Sequence, residues 1–163
     1  MDILSERNFM NNKTCCFAGH SSISNQEEIK IRLKNEIINL IEKENVTEFY
    51  NGYKGAFDSL CARTVNELKK DYPFIKSFWV LSYMPREKDD YTDNLLKLFD
   101  ESIYPDLENI HPRFAIVKRN EWMVDRADFL ITYIHNEWGG SYKTLVYARK
   151  HKNIVVLPIG SKI

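Results

Sequence analysis

The sequence predicts a single α/β domain, a Rossmann-like doubly wound fold with a mainly parallel sheet covered by helices on both faces. Three observations carry this. Strand-like and helix-like segments alternate along nearly the whole chain. The intervening helices run to roughly 10–17 residues, the length of a crossover between parallel neighbours. Segments such as Phe78-Trp79-Val80-Leu81 and 129–134 are nearly continuous in apolar residues, as strands buried on both faces are.

Each element has its own signal. Residues 1–12 are largely polar and are expected to form a flexible N-terminal arm, with the domain proper over 13–163. The apolar run 14–18 ends at Gly19 and reads as a buried strand. Residues 26–43 place Ile29, Leu33, Ile37, Leu40 and Ile41 at helical spacing, with Asn25 as the candidate N-cap. Residues 46–50 are β-rich and stop at Asn51-Gly52, and 57–70 return to helical spacing. A strand is expected over 75–83, a helix over 89–99 and a short strand over 102–104. Pro112 suits the first turn of a helix reaching Arg126. Strand 128–134, helix 141–151 and strand 154–157 complete the pattern.

Composition narrows the function classes. The 163 residues include 23 Lys plus Arg and 23 Asp plus Glu, so the formal net charge is zero. Duplex nucleic acid, which is bound through an excess of cationic side chains, is an unpromising partner. No apolar run approaches the roughly 18 residues of a membrane span, and no basic stretch followed by an apolar one suggests a signal peptide. The three cysteines include the adjacent Cys15 and Cys16 in a strand-like run, which implies free thiols and a cytoplasmic protein. The four histidines lack metal-ligand spacing, and no metal is expected.

In an open α/β sheet the ligand crevice lies beyond the carboxyl ends of the strands. Four segments meet that condition. The first is Gly19-His20-Ser21-Ser22 after the first strand, where a backbone approach and short donors coincide. The second runs from Asn51-Gly52 through Lys54 to Asp58, with two glycines before a helix start. Free N–H groups there could meet an anion, Lys54 could add a charge, and Asp58 could bind a ribose hydroxyl or merely cap the helix. The third is on the 112–126 helix. Asn120 falls mid-stripe among Ile116, Val117, Met123, Val124 and Ala127, with Arg119 at the edge, so Asn120 is expected to be buried and hydrogen-bonded. The fourth is Trp138-Gly139-Gly140-Ser141 through Thr144, with Ser141 as N-cap or phosphate donor.

Together these segments resemble the YpsA-like branch of the SLOG superfamily, which is related to the LOG phosphoribohydrolases and to DprA. The carriers are Thr14-Cys15-Cys16-Phe17-Ala18-Gly19-His20, similar to T-x-x-F-x-G-H-R, and Phe49-Tyr50-Asn51-Gly52 through Phe57-Asp58, similar to F-x-x-G-G-A-x-G-F-D. Further carriers are Trp79 to Tyr83, Arg119 to Asp125, and Gly139-Gly140-Ser141-Tyr142-Lys143-Thr144 through Ala148, similar to G-G-T-x-x-T-x-x-Y-A. The family's Arg after Gly-His is Ser21 here, and Tyr53 and Ala56 stand where it has glycines.

The resemblance implies a Rossmann-like fold, a nucleotide or ADP-ribose-like ligand, no required cofactor, and a homodimer as in LOG relatives. LOG enzymes pair an Arg spaced R-x-x-x-M on a helix with a Glu after their Gly-rich turn. Arg119 and Met123 reproduce the first part; Lys143 and Thr144 occupy the positions of the second. Without that carboxylate the resemblance implies binding without turnover. An enzymatic alternative would use Arg119 with Glu137, and a third reading is a protein-interaction module in which Tyr53 and Ala56 have filled the pocket.

Overall fold

A computed structural model describes residues 11–85, 90–151, 153–160 and 163. The arm expected over 1–12 lies almost wholly outside them. Six strands form one parallel sheet: β1 (Lys13–Gly19), β2 (Val46–Asn51), β3 (Lys76–Val80), β4 (Glu101–Ile103), β5 (Phe129–Tyr133) and β6 (Val155–Pro158), in the order β4-β3-β2-β1-β5-β6. Among the described residues five α-helices connect them: α1 (Gln26–Glu44), α2 (Ala56–Leu68), α3 (Asp90–Leu96), α4 (Ala115–Arg126) and α5 (Gly140–Lys150). A 3-10 turn, Pro112–Phe114, leads into α4, so the proline sits at a helix start as its missing N–H requires.

The chain winds outward from β1 to β4, then returns to place β5 on the other side of β1. That reversal sorts the helices onto two faces. Cys15 and Phe17 pack with residues of α1 and α2; Cys16 and Ala18 pack with Met123 and Val124 of α4 and Ala148 of α5. The alternation of side chains along a strand thus sends the two adjacent cysteines into opposite cores. Cys15, Cys16 and Cys61 are all free and buried.

Several expected boundaries move. The third strand is shorter than 75–83, stopping at Val80, and the fourth occupies Glu101–Ile103 rather than 102–104. Asn25 does not cap α1: it sits in the left-handed region at φ 57 and makes no side-chain capping bond. Its amide instead reaches the Glu28 carboxylate. At the far end Asn45 adopts φ 59 and donates its N–H to Leu40 O, which stops α1 and turns the chain into β2. Ser141 is not the N-cap of α5 either; Gly139 is, with no side-chain cap. Among the described residues no helix is long and apolar enough to cross a membrane.

The largest correction concerns α4. Its core-facing residues are Arg119, Met123 and Val124, whereas Asn120 is only half-buried. Periodicity counts Arg as a surface residue, but its long apolar stem can cross a core while its head finds acceptors beyond. Those acceptors are backbone carbonyls at the ends of β2 and β3, described next.

Candidate ligand site at the strand ends

β1 and β5 lie side by side at the point where strand order reverses, with Gly19 in register with Tyr133. The crevice rule puts a ligand here. Beyond Gly19 the chain is stitched in both directions. His20 donates its N–H to Tyr133 O at 3.1 Å. The carbonyls of His20 and Ser21 accept from Phe57 N and Ala56 N at 3.3 and 3.0 Å. His20 Nε2 accepts the His135 N–H at 2.6 Å, so the imidazole carries its proton on Nδ1 when neutral. Burial, and then the neighbouring His135, hold His20 below the usual histidine pKa.

The β2–α2 loop satisfies itself. Asn51 Oδ1 accepts from Tyr53 N at 2.6 Å, and Asn51 Nδ2 donates to Asp58 O at 2.8 Å. Asp58 Oδ2 accepts from Lys54 N at 2.9 Å. Ala56 and Phe57 donate to the β1 loop, so two of the N–H groups expected to be free for an anion at the start of α2 are already engaged. Tyr53, at φ 50, turns its ring to meet Phe99 edge-on at 5.7 Å, in the cluster with Trp79. Its bulk therefore leaves the crevice clear. Asn51 and Gly52 are not among the residues lining the two cavities at the strand ends and act as the frame of the loop.

Arg119 ties this frame to α4. It is 3% exposed, and its Nη1 donates to Gly52 O at 3.0 Å and Val80 O at 2.9 Å. Its Nε donates to Asn120 Oδ1 at 2.8 Å, so Asn120 serves Arg119 rather than the strand ends. Nη2 makes no hydrogen bond to the described residues. Burial lowers the Arg119 pKa, with Asp58 opposing. Asp58, 9% exposed, is pushed up to about 6 by burial, against the Lys54 N–H bond and the Arg119 charge. Both side chains line one cavity, and among the described residues no ion pair joins them.

The β5–α5 loop is open by contrast. The N–H groups of Gly140, Ser141 and Tyr142 find no acceptor among the described residues, and only Lys143 N returns to Gly139 O, at 3.1 Å. Thr144 Oγ1 donates back to Gly140 O at 3.0 Å.

Two cavities meet at this turn. A small one, about 260 Å³, is lined by Gly19, Ser21, Lys54, Asp58, Arg119 and Asn120 from one side and by Gly140, Ser141 and Thr144 from the other. A larger one, about 490 Å³, takes in His20, Tyr133, His135 and Trp138 and shares Ser21, Gly140 and Ser141. Outside them runs a third, more apolar groove of about 620 Å³ between α4 and α5, and Glu137 lies there. Glu137 and Arg119 thus line different cavities, which adjoin at Gly140 and Thr144. Among the described residues no cluster of three or more metal-ligating side chains occurs.

Tyr133 and His135 lie outside the four loop segments read from the sequence, and Trp138 opens the fourth with no role assigned to it. Their usable signal was position: His20 and His135 follow strands that only the topology makes neighbours.

No protein-family model matches the chain, and no curated protein does. Solved structures do. DNA processing protein A (DprA) from Streptococcus pneumoniae superposes with a TM-score of 0.64 at 12% identity, over 93% of this chain and 52% of that one. The chain shares the DprA fold. DprA from Helicobacter pylori, described for its single-stranded DNA binding mode, gives a TM-score of 0.60 at 14% identity, over 90% of this chain and 66% of its own. The Moco carrier protein of Chlamydomonas rheinhardtii gives 0.57 at 11% identity, over 94% and 79%. This chain thus spans between half and two-thirds of the DprA chains it matches. The fold implied by the SLOG resemblance is the fold found.

Proposed function

We propose that this protein is a YpsA-like SLOG module that binds a nucleotide or a nucleotide-derived ligand, such as an ADP-ribose relative, without turning it over. The carrying observation is the small cavity at the sheet's switch point. There the bare N–H groups at the start of α5 face the cationic Lys54 and the guanidinium of Arg119. Unpaired amides at a helix start and fixed cations together favour an anion such as phosphate. Asp58 offers an acceptor for a hydroxyl on the same ligand. A nucleic-acid ligand for H. pylori DprA is in keeping with nucleotide chemistry on this fold. Three buried free thiols suit the reducing cytoplasm.

Calorimetry of AMP and ADP-ribose against wild type and Lys54→Ala tests this. Lys54 is exposed and its side chain is not part of the folded frame, so the variant isolates binding. Wild type should bind, and Lys54→Ala should bind about tenfold more weakly, the size of one charge-assisted contact. No heat from wild type at millimolar ligand would overturn the proposal and favour the interaction module.

A further inference from the structure

The two cavities that meet at Gly140 and Ser141 differ in a way that names the ligand's parts. Lys54, Asp58 and Arg119, all ionisable, line the small one. The large one contains no acidic or cationic side chain apart from its histidines; its lining is Ser21, Ser22, Ser24 and Asn136 around aromatic rings. His20 has its Nε2 lone pair occupied there by the His135 N–H, and burial holds its pKa below the usual histidine value.

The rings are organised. His20 and His135 stand 5.7 Å apart at 26°, close to parallel. Tyr133 meets His135 edge-on at 4.6 Å and is itself tied to Ser24 through its hydroxyl at 3.3 Å. Trp138, on the rim, is 72% exposed, an unusual state for so large an apolar ring in the absence of a partner. Such a surface offers faces for stacking a planar ring and hydroxyl and amide groups for its heteroatoms.

Building on the nucleotide reading above, we propose that the large cavity is a subsite for a neutral heteroaromatic base, held by His135 and Trp138, while the small cavity takes the phosphorylated sugar of the same molecule. The charge division between the cavities matches that within a nucleotide, whose base is neutral and whose phosphate is not. Ser21, Gly140 and Ser141, common to both linings, mark where the two parts of the ligand join.

Calorimetry with ribose 5-phosphate, adenosine and AMP separates the subsites. Wild type should bind AMP at least about tenfold more tightly than ribose 5-phosphate, the worth of one stacked base. His135→Ala and Trp138→Ala, both at exposed loop positions, should lose that advantage and leave ribose 5-phosphate affinity within about twofold. Thermal melts of both variants verify folding. Equal affinity of wild type for AMP and ribose 5-phosphate, or unchanged AMP binding in both variants, would overturn the base subsite while leaving phosphate binding intact. Failure of wild type to bind either compound would overturn the nucleotide reading itself, and this subsite with it.

Discussion

Two loops of this molecule are built on the same backbone and used differently. Gly55 before α2 has φ 96 and ψ 177; Gly139 before α5 has φ 92 and ψ 178. Each precedes a helix whose first turn lacks a side-chain cap. Around Gly55 the space is filled: a Cβ there would lie 2.7 Å from the Ser21 Cα, and the adjoining N–H groups are bonded to the β1 loop. Around Gly139 and Gly140 a Cβ would meet nothing within 4 Å, and the N–H groups stay unpaired. Glycine before a helix is therefore no sign of an anion site by itself. What matters is whether another segment has already taken the amides, and at α2 the segment after β1 has done so.

The largest effect that could break this comparison is at Gly55. Gly55→Ala would combine left-handed strain with a backbone clash, costing about 2–5 kcal/mol, whereas Gly139→Ala would carry the strain alone, about 1–2 kcal/mol. Urea denaturation of the two variants measures the difference. Equal losses would mean that the β1 loop is not packed onto α2 as described.

Next is Arg119→Ala. A residue at the edge of a helix could be removed with little loss of folding, as the sequence suggests for Arg119. Its burial reverses that expectation. Removing it leaves the Gly52 and Val80 carbonyls without their donor, and about 2–4 kcal/mol of stability should go with it. A loss near zero in the same denaturation experiment would show that Arg119 is not the tie between α4 and the strand ends. This is why Lys54, rather than Arg119, is the residue with which to test binding.

Asp58 gives a pH signature of the closed loop. Its folded pKa, about 6, lies above the ordinary value of 3.8, so the carboxyl favours folding while protonated. That contribution is complete below the unfolded value and is lost as pH rises through the folded one. The stability of wild type relative to Asp58→Asn should therefore fall by up to about 3 kcal/mol between acid and neutral pH. Parallel pH profiles would show that the Asp58 carboxylate is solvated in the folded protein. The smallest effect belongs to the open loop. Gly140→Ala should change stability by less than about 1 kcal/mol, in the stabilising direction, since alanine is the better helix former and its methyl meets open space. A large loss in a thermal melt would mean that the turn is packed after all.

The sequence alone determined the alternation of strands and helices, the parallel sheet with two covered faces, and the rule that loops after strands would frame the crevice. These follow from hydrophobic spacing, which is a property of residues near one another in the chain. Most expected positions, Gly19, Ser21, Lys54, Asp58, Arg119, Asn120, Gly140, Ser141 and Thr144, do gather around one cavity. The tertiary structure alone decided which of them are spent on the fold. The carbonyl that occupies Arg119 belongs to Gly52, 67 residues away, and the amide that fixes His20 belongs to His135, 115 residues away. The first two amides of α2 are taken by Ser21 and His20, and the first amides of α5 find no such acceptor among the described residues. A hydrogen bond depends on which groups end up within three ångströms of each other, and local spacing is silent about partners brought together by the crossing of six strands.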